Sequence, residues 1–548
     1  MKRRNKGLRT LAGIAVAAVL WMTFGIAGLC SAQEGKTVVI ASASDLFRIA
    51  NPAVFRLSSL NYWWHQVFSG LTRVDENFRP VPDLAESWTV SEDGRTFTFN
   101  LRRGVKWHDG QPFSAEDVKF TYETLLHKDN RAGASHFNYF GYIEGAPEYR
   151  AGKADSVKGV EVLDPHKVRI RLREPYAAFL TVSAIQPIVP KHVLGNVPLK
   201  GMMKHSFTHK PIGTGPYRFE SWKSRDRAVL RVNPDYFGKK PKIARIIWRT
   251  MPDTFSRLAA LRKKEINVNG LYAAVPVDEF ENLDKDPCCK AVRMVGQSNW
   301  FLDFNLKNPI FQDVRVRRAI SYAIDRKAIL KHVFKGWGSI VNSPFHPLSW
   351  AYKKDVTLYD GDPQKAKQLL EEAGWKVGPD GVRVKDGKRL SFTWRVGIGR
   401  AAAIMAEAAV PMLKAAGVEA KLERLAFVTL WFKHYVKKNY DALSHLHPNS
   451  VYSDPDYDLL RWYDHRINKT GYNNPKVERL IKKAARILDR KRRKEIYDEL
   501  QEILAQDAVR VWLIHTDELW GVSKDLVMPD LPTGFRRILA IQNWDWKK

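Results

Sequence analysis

Polar and apolar residues alternate through Thr96-Phe97-Thr98-Phe99-Asn100-Leu101, the period of a strand with one buried face. Ser87-Trp88-Thr89-Val90 reads the same way, and Glu92-Asp93-Gly94-Arg95 between them carries the Asp-Gly signal of a hairpin. Gly104 breaks the second strand, and His108-Asp109-Gly110 makes another turn. Ser114 then reads as a helix N-cap with Asp117 in the first turn, and Val118, Tyr122, Leu125 and Leu126 give that helix an apolar face. The unit is hairpin, turn, capped helix.

The same periodicities continue along the chain. Thr37 to Ala41 is a short apolar strand, and Leu60 to Leu71 reads as an aromatic-rich helix ending near Gly70. Val160-Glu161-Val162 and Val168 to Leu172 alternate around the turn Asp164-Pro165-His166, a second hairpin. Asp253 to Glu265 predicts an amphipathic helix with Phe255, Leu258 and Leu261 inward. Asp313 caps another, with Val316, Ala319, Ile320 and Ala323 as its buried stripe and Arg315 and Arg318 facing elsewhere. Asp362-Pro363 starts a helix that stops at Gly374. Asn474-Pro475 opens the last long helical region, with Val477, Leu480, Ile481, Ala484, Ile487 and Leu488 inward, and Lys491 to Lys494 reads as a solvated run between helices.

Length changes the picture first: 548 residues exceed what one core usually holds, so two or more domains are expected. The N-terminus has the form of an export signal. Lys2, Arg3, Arg4, Lys6 and Arg9 form a basic region, Leu11 to Leu29 is apolar, and cleavage is expected after Ala32, giving a signal peptide over 1–32. A lipid anchor on Cys30 is the alternative, disfavoured by the bulky Leu29, and a retained membrane anchor is the third option. The expected compartment is the periplasm. Cleavage removes five of the thirty net positive charges and leaves +25, an excess that fits an anionic ligand, an anionic membrane surface or simply a solvated surface. Nucleic acid is excluded as a partner, because the cations are spread along an exported chain and no nucleic-acid module accompanies them. Adjacent Cys288 and Cys289 leave open a vicinal disulfide or a bridge to another chain, with no metal spacing or disulfide framework.

No catalytic constellation is present: there is no Gly-x-Ser-x-Gly elbow, no His-Glu-x-x-His and no phosphate loop with its lysine. His108 and Asp109 are adjacent on a turn and point apart. Gly213-Thr214-Gly215-Pro216-Tyr217 is a glycine-rich turn into a strand and lacks the ending that contacts phosphate. His445 and His447 share a strand face but lack a third metal ligand. No enzyme activity, cofactor or metal is expected.

The ordered pattern LAESW-V-S-DG-T-F-F-LR-GVKWHDG-PF-AEDV-F between Leu84 and Phe120 resembles the signature of the family 5 extracellular solute-binding proteins, which include dipeptide-, oligopeptide- and nickel-binding proteins of bacterial import systems. Ile188 to Leu194, Gly213 to Phe219, Asn233 to Phe237, Phe304 to Arg326, Asp362 to Gly374 and Leu413 to Gly417 extend the resemblance over nearly all of the mature chain. It implies an α/β periplasmic-binding-protein fold with two lobes joined by crossing strands. The first lobe would span 36–269, enlarged by a subdomain inserted at about 83–211, the second 270–507, with 508–548 returning to the first. It also implies a monomeric ligand trap, whose partners are a small solute, peptide among the possibilities, and the ABC permease subunits of the inner membrane.

The resemblance places Ser44 and Phe47 on a ligand-facing loop, and Trp300, Trp337, His346 and Trp431 in segments flanking the cleft. The most informative stretch is His445 to Pro455, from which His447, Asn449, Val451 and Tyr452 are candidate ligand contacts. Peptide-binding members carry an aspartate shortly before the acidic-Pro step, which pairs with the ligand's α-amino group. Anchored on Asp454-Pro455, that position falls on Val451, and valine cannot neutralise a buried ammonium. A sugar, metal chelate or anionic solute, a sensing rather than importing role, and a secreted enzyme on this scaffold are the alternatives to a peptide importer.

Overall fold

The computed structural model describes residues 36–45, 51–54, 63–75, 79–130, 133–271, 275–296, 298–398, 401–448 and 454–547. Two mixed sheets organise the chain. The first has seven strands in the order Cys289–Met294, Glu518–Ser523, Val268–Leu271, Thr37–Ser42, Arg245–Thr250, Arg227–Val232, Tyr217–Lys223. The apolar opening strand lies at its centre, parallel to both neighbours, with Val38 and Ile40 fully buried. Val38 and Ile40 pack into one core and Val39 and Ala41 into another, so both faces of the strand are covered, which is why its sequence is a nearly continuous apolar run.

The second sheet has six strands, ordered Gly338–Ser339, Arg510–Thr516, Ser298–Phe304, Ala442–Pro448, Ser391–Gly397, Glu419–Leu425. Its strand alternation sorts side chains into two cores. Trp300, Leu302 and Phe304 pack with helices Val314–Ala323, Pro363–Glu372 and Ala401–Ala415, whereas Phe301 and Trp512 pack with Asp456–Tyr463, Pro475–Arg486 and Arg490–Asp507.

The signature unit forms a separate four-stranded sheet, Ala85–Val90, Thr96–Leu101, Lys167–Arg171, Val160–Asp164, so both expected hairpins are present. Phe97, Phe99 and Leu101 are buried against helix Ala115–Leu126, whose N-terminus is closed by a reciprocal box of Ser114 and Asp117. The glycine-rich turn is a corner. A Cβ on Gly213 would lie 1.8 Å from the Val67 carbonyl oxygen and one on Gly215 2.6 Å from that of Gln66. His108 is tied to this corner, accepting from the Gly213 N–H at 3.2 Å and lying 3.1 Å from the Gly215 carbonyl oxygen.

Several expectations differ from the structure. Phe255 is 65% exposed, because Arg257 takes the inward place on the short helix Thr254–Arg262 and donates to Asn269 Oδ1 at 3.0 Å and the Pro252 carbonyl at 2.8 Å. Arg493 is buried inside the run expected to be solvated, and Leu488 is 48% exposed rather than inward, because helix Pro475–Arg486 has ended two residues before it. Only Trp64–Val67 of the expected aromatic helix lies within the described residues as helix. Cys288 and Cys289 are joined as a vicinal disulfide.

Candidate ligand-binding cleft

Two antiparallel segments run through both sheets. Strand Cys289–Met294 pairs with Glu518–Ser523 in the first sheet, and Ser298–Phe304 pairs with Arg510–Thr516 in the second. The chain therefore passes from one sheet to the other between Met294 and Ser298 and returns at Asp517, rather than near residues 269 and 507. The strands Val268–Leu271 and Cys289–Met294 remain in the first sheet because the Glu518–Ser523 strand lies between them and pairs with both.

Side chains from both lobes gather at these crossings. His346 is buried, its Nε2 lying 2.6 Å from the Gly296 carbonyl oxygen while its Nδ1 accepts from the Leu348 N–H at 3.0 Å. Those two bonds require the neutral ring with its proton on Nε2. Its ring meets that of His515 edge to face at 4.7 Å, and His515 Nδ1 lies 2.5 Å from Asn299 Oδ1. Trp300 Nε1 donates to Thr516 Oγ1 at 3.1 Å. Trp337 reaches back to the first lobe, edge-on to Phe280 at 5.5 Å, with the Arg293 guanidinium 4.8 Å from its ring centre. Arg293 Nε in turn holds Asp517 Oδ2 at 2.6 Å.

Burial lowers both histidine pKa values, His346 well below the ordinary value and His515 to about 4, with the Gly296 carbonyl opposing the shift in each. A histidine whose folded pKa is depressed contributes stability above the unfolded value near 6.5 and loses it as pH falls towards the folded value. His515→Gln should therefore flatten the decline in stability between pH 6.5 and 4 by roughly 1 kcal/mol per pH unit relative to the parent. Urea unfolding at several pH values checks this, and parallel curves would exclude it.

A second set of interlobe contacts is made by elements outside both central sheets. The Ala177 N–H donates to the Ala485 carbonyl at 2.8 Å, Arg486 Nε donates to Glu174 Oε2 at 2.9 Å, and Leu488 lies against Gly94. Nearby, Tyr142 and Tyr176 stack at 4.2 Å, and burial next to Asp456 raises both phenol pKa values. Asp454 and Asp456 converge on Arg493 from the second lobe. The two lobes thus touch at the crossings and again at the four-stranded signature unit. The Glu174–Arg486 pair is largely exposed, so it is worth at most about 1 kcal/mol. Glu174→Ala should speed loss of retained solute by about two- to five-fold with little change in melting temperature. Timed dilution followed by native mass spectrometry checks it, and an unchanged rate counts against a closing role.

The remaining candidates fall elsewhere. Ser44 is exposed at the end of the central strand of the first sheet, beside Trp248 and Thr250, its amide bonded to Ser42 Oγ at 3.3 Å. Trp431 stacks on Tyr435 at 4.7 Å and Phe427 at 6.0 Å and packs against the second lobe's core. His447 lies on strand Ala442–Pro448, paired with Asn299. Phe47, Asn449, Val451 and Tyr452 lie outside the described residues. Asn299, His515, Tyr142, Tyr176 and Arg493 were not singled out from sequence. His515, the polar residue that directly ends the apolar run Val511 to Ile514, is the one signal that pointed to any of them.

Among the described residues, Asp464, His465 and Glu478 are close enough to share a metal ion. Asp464 is already engaged by Arg466, whose Nε donates to Oδ1 at 2.9 Å, and His465 by Glu478. No helix of the described residues is long and apolar enough to cross a membrane.

Residues 79–470 match the family described as "Bacterial extracellular solute-binding proteins, family 5 Middle". The chain belongs to the family 5 bacterial extracellular solute-binding proteins. It is 30% identical to the oligopeptide-binding protein AppA of Bacillus subtilis over 494 residues, covering 88% of this chain and 86% of AppA. The structure of that AppA in complex with a nonapeptide superposes with a TM-score of 0.79 at 28% identity, covering 94% of this chain and all of AppA's. The dipeptide-binding protein of Escherichia coli is 29% identical over 468 residues, 81% of this chain and 83% of that protein. NikZ of Campylobacter jejuni, in complex with Ni(L-His), superposes with a TM-score of 0.77 at 29% identity over 93% of this chain and 99% of NikZ. These neighbours share the two-lobed α/β fold, and the family and its relatives are binding proteins.

Proposed function

We propose that this chain is the substrate-binding component of an ABC importer, trapping a peptide-like solute between its lobes and presenting the closed form to permease subunits in the inner membrane. The observation that carries this reading is the double interlobe contact. Two crossing connections, centred on Gly296 and Asp517, allow rotation, while Glu174–Arg486 and Ala177–Ala485 join only when the lobes meet. A solute bridging the lobes adds contacts that exist only in the closed form and so shifts the population towards it. No bond is made or broken.

On this reading, residues 1–32 are a cleaved export signal, the mature chain works as a monomer in the periplasm, and Ser44, Trp300, Trp337, His346, His447, Asn449, Val451 and Tyr452 border the solute. AppA and the dipeptide-binding protein favour a peptide; Val451 at the expected ammonium anchor favours a ligand without a free α-amino group, as a second reading. Native mass spectrometry of protein purified gently from its own cells, against a denatured sample, separates them. A family of peptide masses lost on denaturation is expected. One uniform non-peptide mass would replace the peptide reading with the second.

A further inference from the structure

Helix Pro475–Arg486 carries its charges in one line. Val477, Ile481, Ala484 and Ala485 are buried, which leaves Arg479, Lys482, Lys483 and Arg486 along the opposite, exposed face, three and four residues apart. Lys491 and Arg492 at the start of helix Arg490–Asp507 are exposed next to its end. Between residues 475 and 495 there are ten Lys or Arg and three Asp or Glu. Those three acids are mostly occupied: Asp489 caps the second helix through the Arg492 N–H and Glu478 binds His465. Among the described residues, Arg486 of the stripe is tied down by Glu174 across the lobe junction. The corner between the helices also leaves Leu488, one side of which lies against Gly94, 48% exposed between Arg486 and Arg490 in sequence.

We infer that this corner is a docking surface for an anionic phospholipid membrane. Cations dispersed along a helix face, half of them lysines with compact, freely rotating charges, match a charged plane better than a shaped acidic pocket, which favours arginine forks. An exposed leucine within a basic cluster is what a headgroup layer accommodates. Clusters of four to eight Lys or Arg on a helix attract anionic lipid by about 1 kcal/mol each. The +25 that remains after cleavage of the export signal supplies the long-range approach, and the stripe supplies the orientation. The inference rests on the reading of the chain as an importer component working beside a membrane. Its consequence is that the binding protein searches for its permease along the membrane surface.

The test is co-sedimentation of the mature protein with vesicles of phosphatidylcholine, against vesicles of equal parts phosphatidylcholine and phosphatidylglycerol, at low and high salt. Binding only to the anionic vesicles, lost at high salt, is expected. Arg479→Glu with Lys482→Glu and Lys483→Glu should lower it at least about ten-fold. Lys204→Glu with Lys239→Glu and Lys240→Glu makes the same change in net charge on exposed first-lobe positions and should lower it by no more than about two-fold. The neutral pair Lys482→Gln and Lys483→Gln gives the same direction if the reversal disturbs the helix, and circular dichroism reads folding in each case. Equal losses in both charge reversals, or no binding by the parent, would overturn the inference. So would loss of capture by permease reconstituted in pure phosphatidylcholine, which would assign the stripe to a protein partner. Solute retention, measured separately by native mass spectrometry, reports on the importer reading whatever the vesicles show.

Discussion

Gly296→Ala is expected to lower the retention of co-purifying solute at least about ten-fold while leaving a folded protein. A Cβ built on Gly296 would lie 1.8 Å from the Thr516 carbonyl oxygen and 3.5 Å from the Asp517 carbonyl carbon. Both neighbours are backbone of the returning strand, so no side chain can swing aside. The two crossing connections must separate, and they can do so only by altering the angle between the sheets they join. The Gly296 carbonyl also sets the tautomer of His346, so a shift here propagates into the buried pair of rings. Overpacking of this kind costs roughly 1–3 kcal/mol, enough to change a lobe equilibrium by one or two orders of magnitude without unfolding either sheet. Native mass spectrometry reads solute occupancy, and small-angle scattering reads whether the lobes remain apart. Parental occupancy together with a parental scattering profile would show that the crossing is not the pivot.

The alternating and capped segments were legible in sequence because their reasons are local. The Thr96–Leu101 strand, the Ser114 cap, the hairpin around Pro165 and the helix starts at Asp313, Asp362 and Asn474 each depend on residues within one or two turns of one another. Phe255 and Leu488 were misread for the opposite reason. Phe255 yields the inward face to Arg257, whose partner Asn269 lies on a separate strand, and Leu488 falls beyond the end of the helix at Arg486, which its apolar periodicity does not mark. The crossings were displaced because Cys289–Met294 alternates equally well in either sheet, and only its pairing with Glu518–Ser523, more than two hundred residues on, assigns it. The tyrosine stack at 142 and 176 carries no periodic signal, since both residues lie in turns or irregular segments of the inserted subdomain.

Arg493 illustrates the same limit and carries the second large effect. In the sequence it lies inside the five-residue basic run Arg490 to Lys494. In the fold it is buried beneath Trp350, with Nη1 donating to Asp454 Oδ2 at 2.7 Å and Nη2 donating to Asp456 Oδ2 at 3.2 Å and to Tyr497 Oη at 2.6 Å. Tyr497 Oη in turn donates to Asp456 Oδ1 at 2.7 Å. One cation thus compensates two buried carboxylates, and burial already pushes Asp456 well above the ordinary carboxylate range. Arg493→Met keeps the aliphatic volume and removes the charge, stranding both acids, which should destabilise the protein by about 3–5 kcal/mol at neutral pH. Two further measurements distinguish lost charge from lost packing. A carboxyl with a raised folded pKa contributes stability below its unfolded value and loses it as pH rises through the folded value, so Arg493→Met should recover stability as pH falls from 7 towards 5. Adding Asp456→Asn should recover part of the loss at pH 7, because one stranded charge is gone. Asp454 and Asp456 lie just after the candidate contacts Asn449, Val451 and Tyr452 in sequence, so solute retention is expected to fall as well. Urea unfolding across pH, with occupancy measured on the same samples, decides it: a variant equally unstable at pH 5 and 7 would assign the role of Arg493 to packing alone.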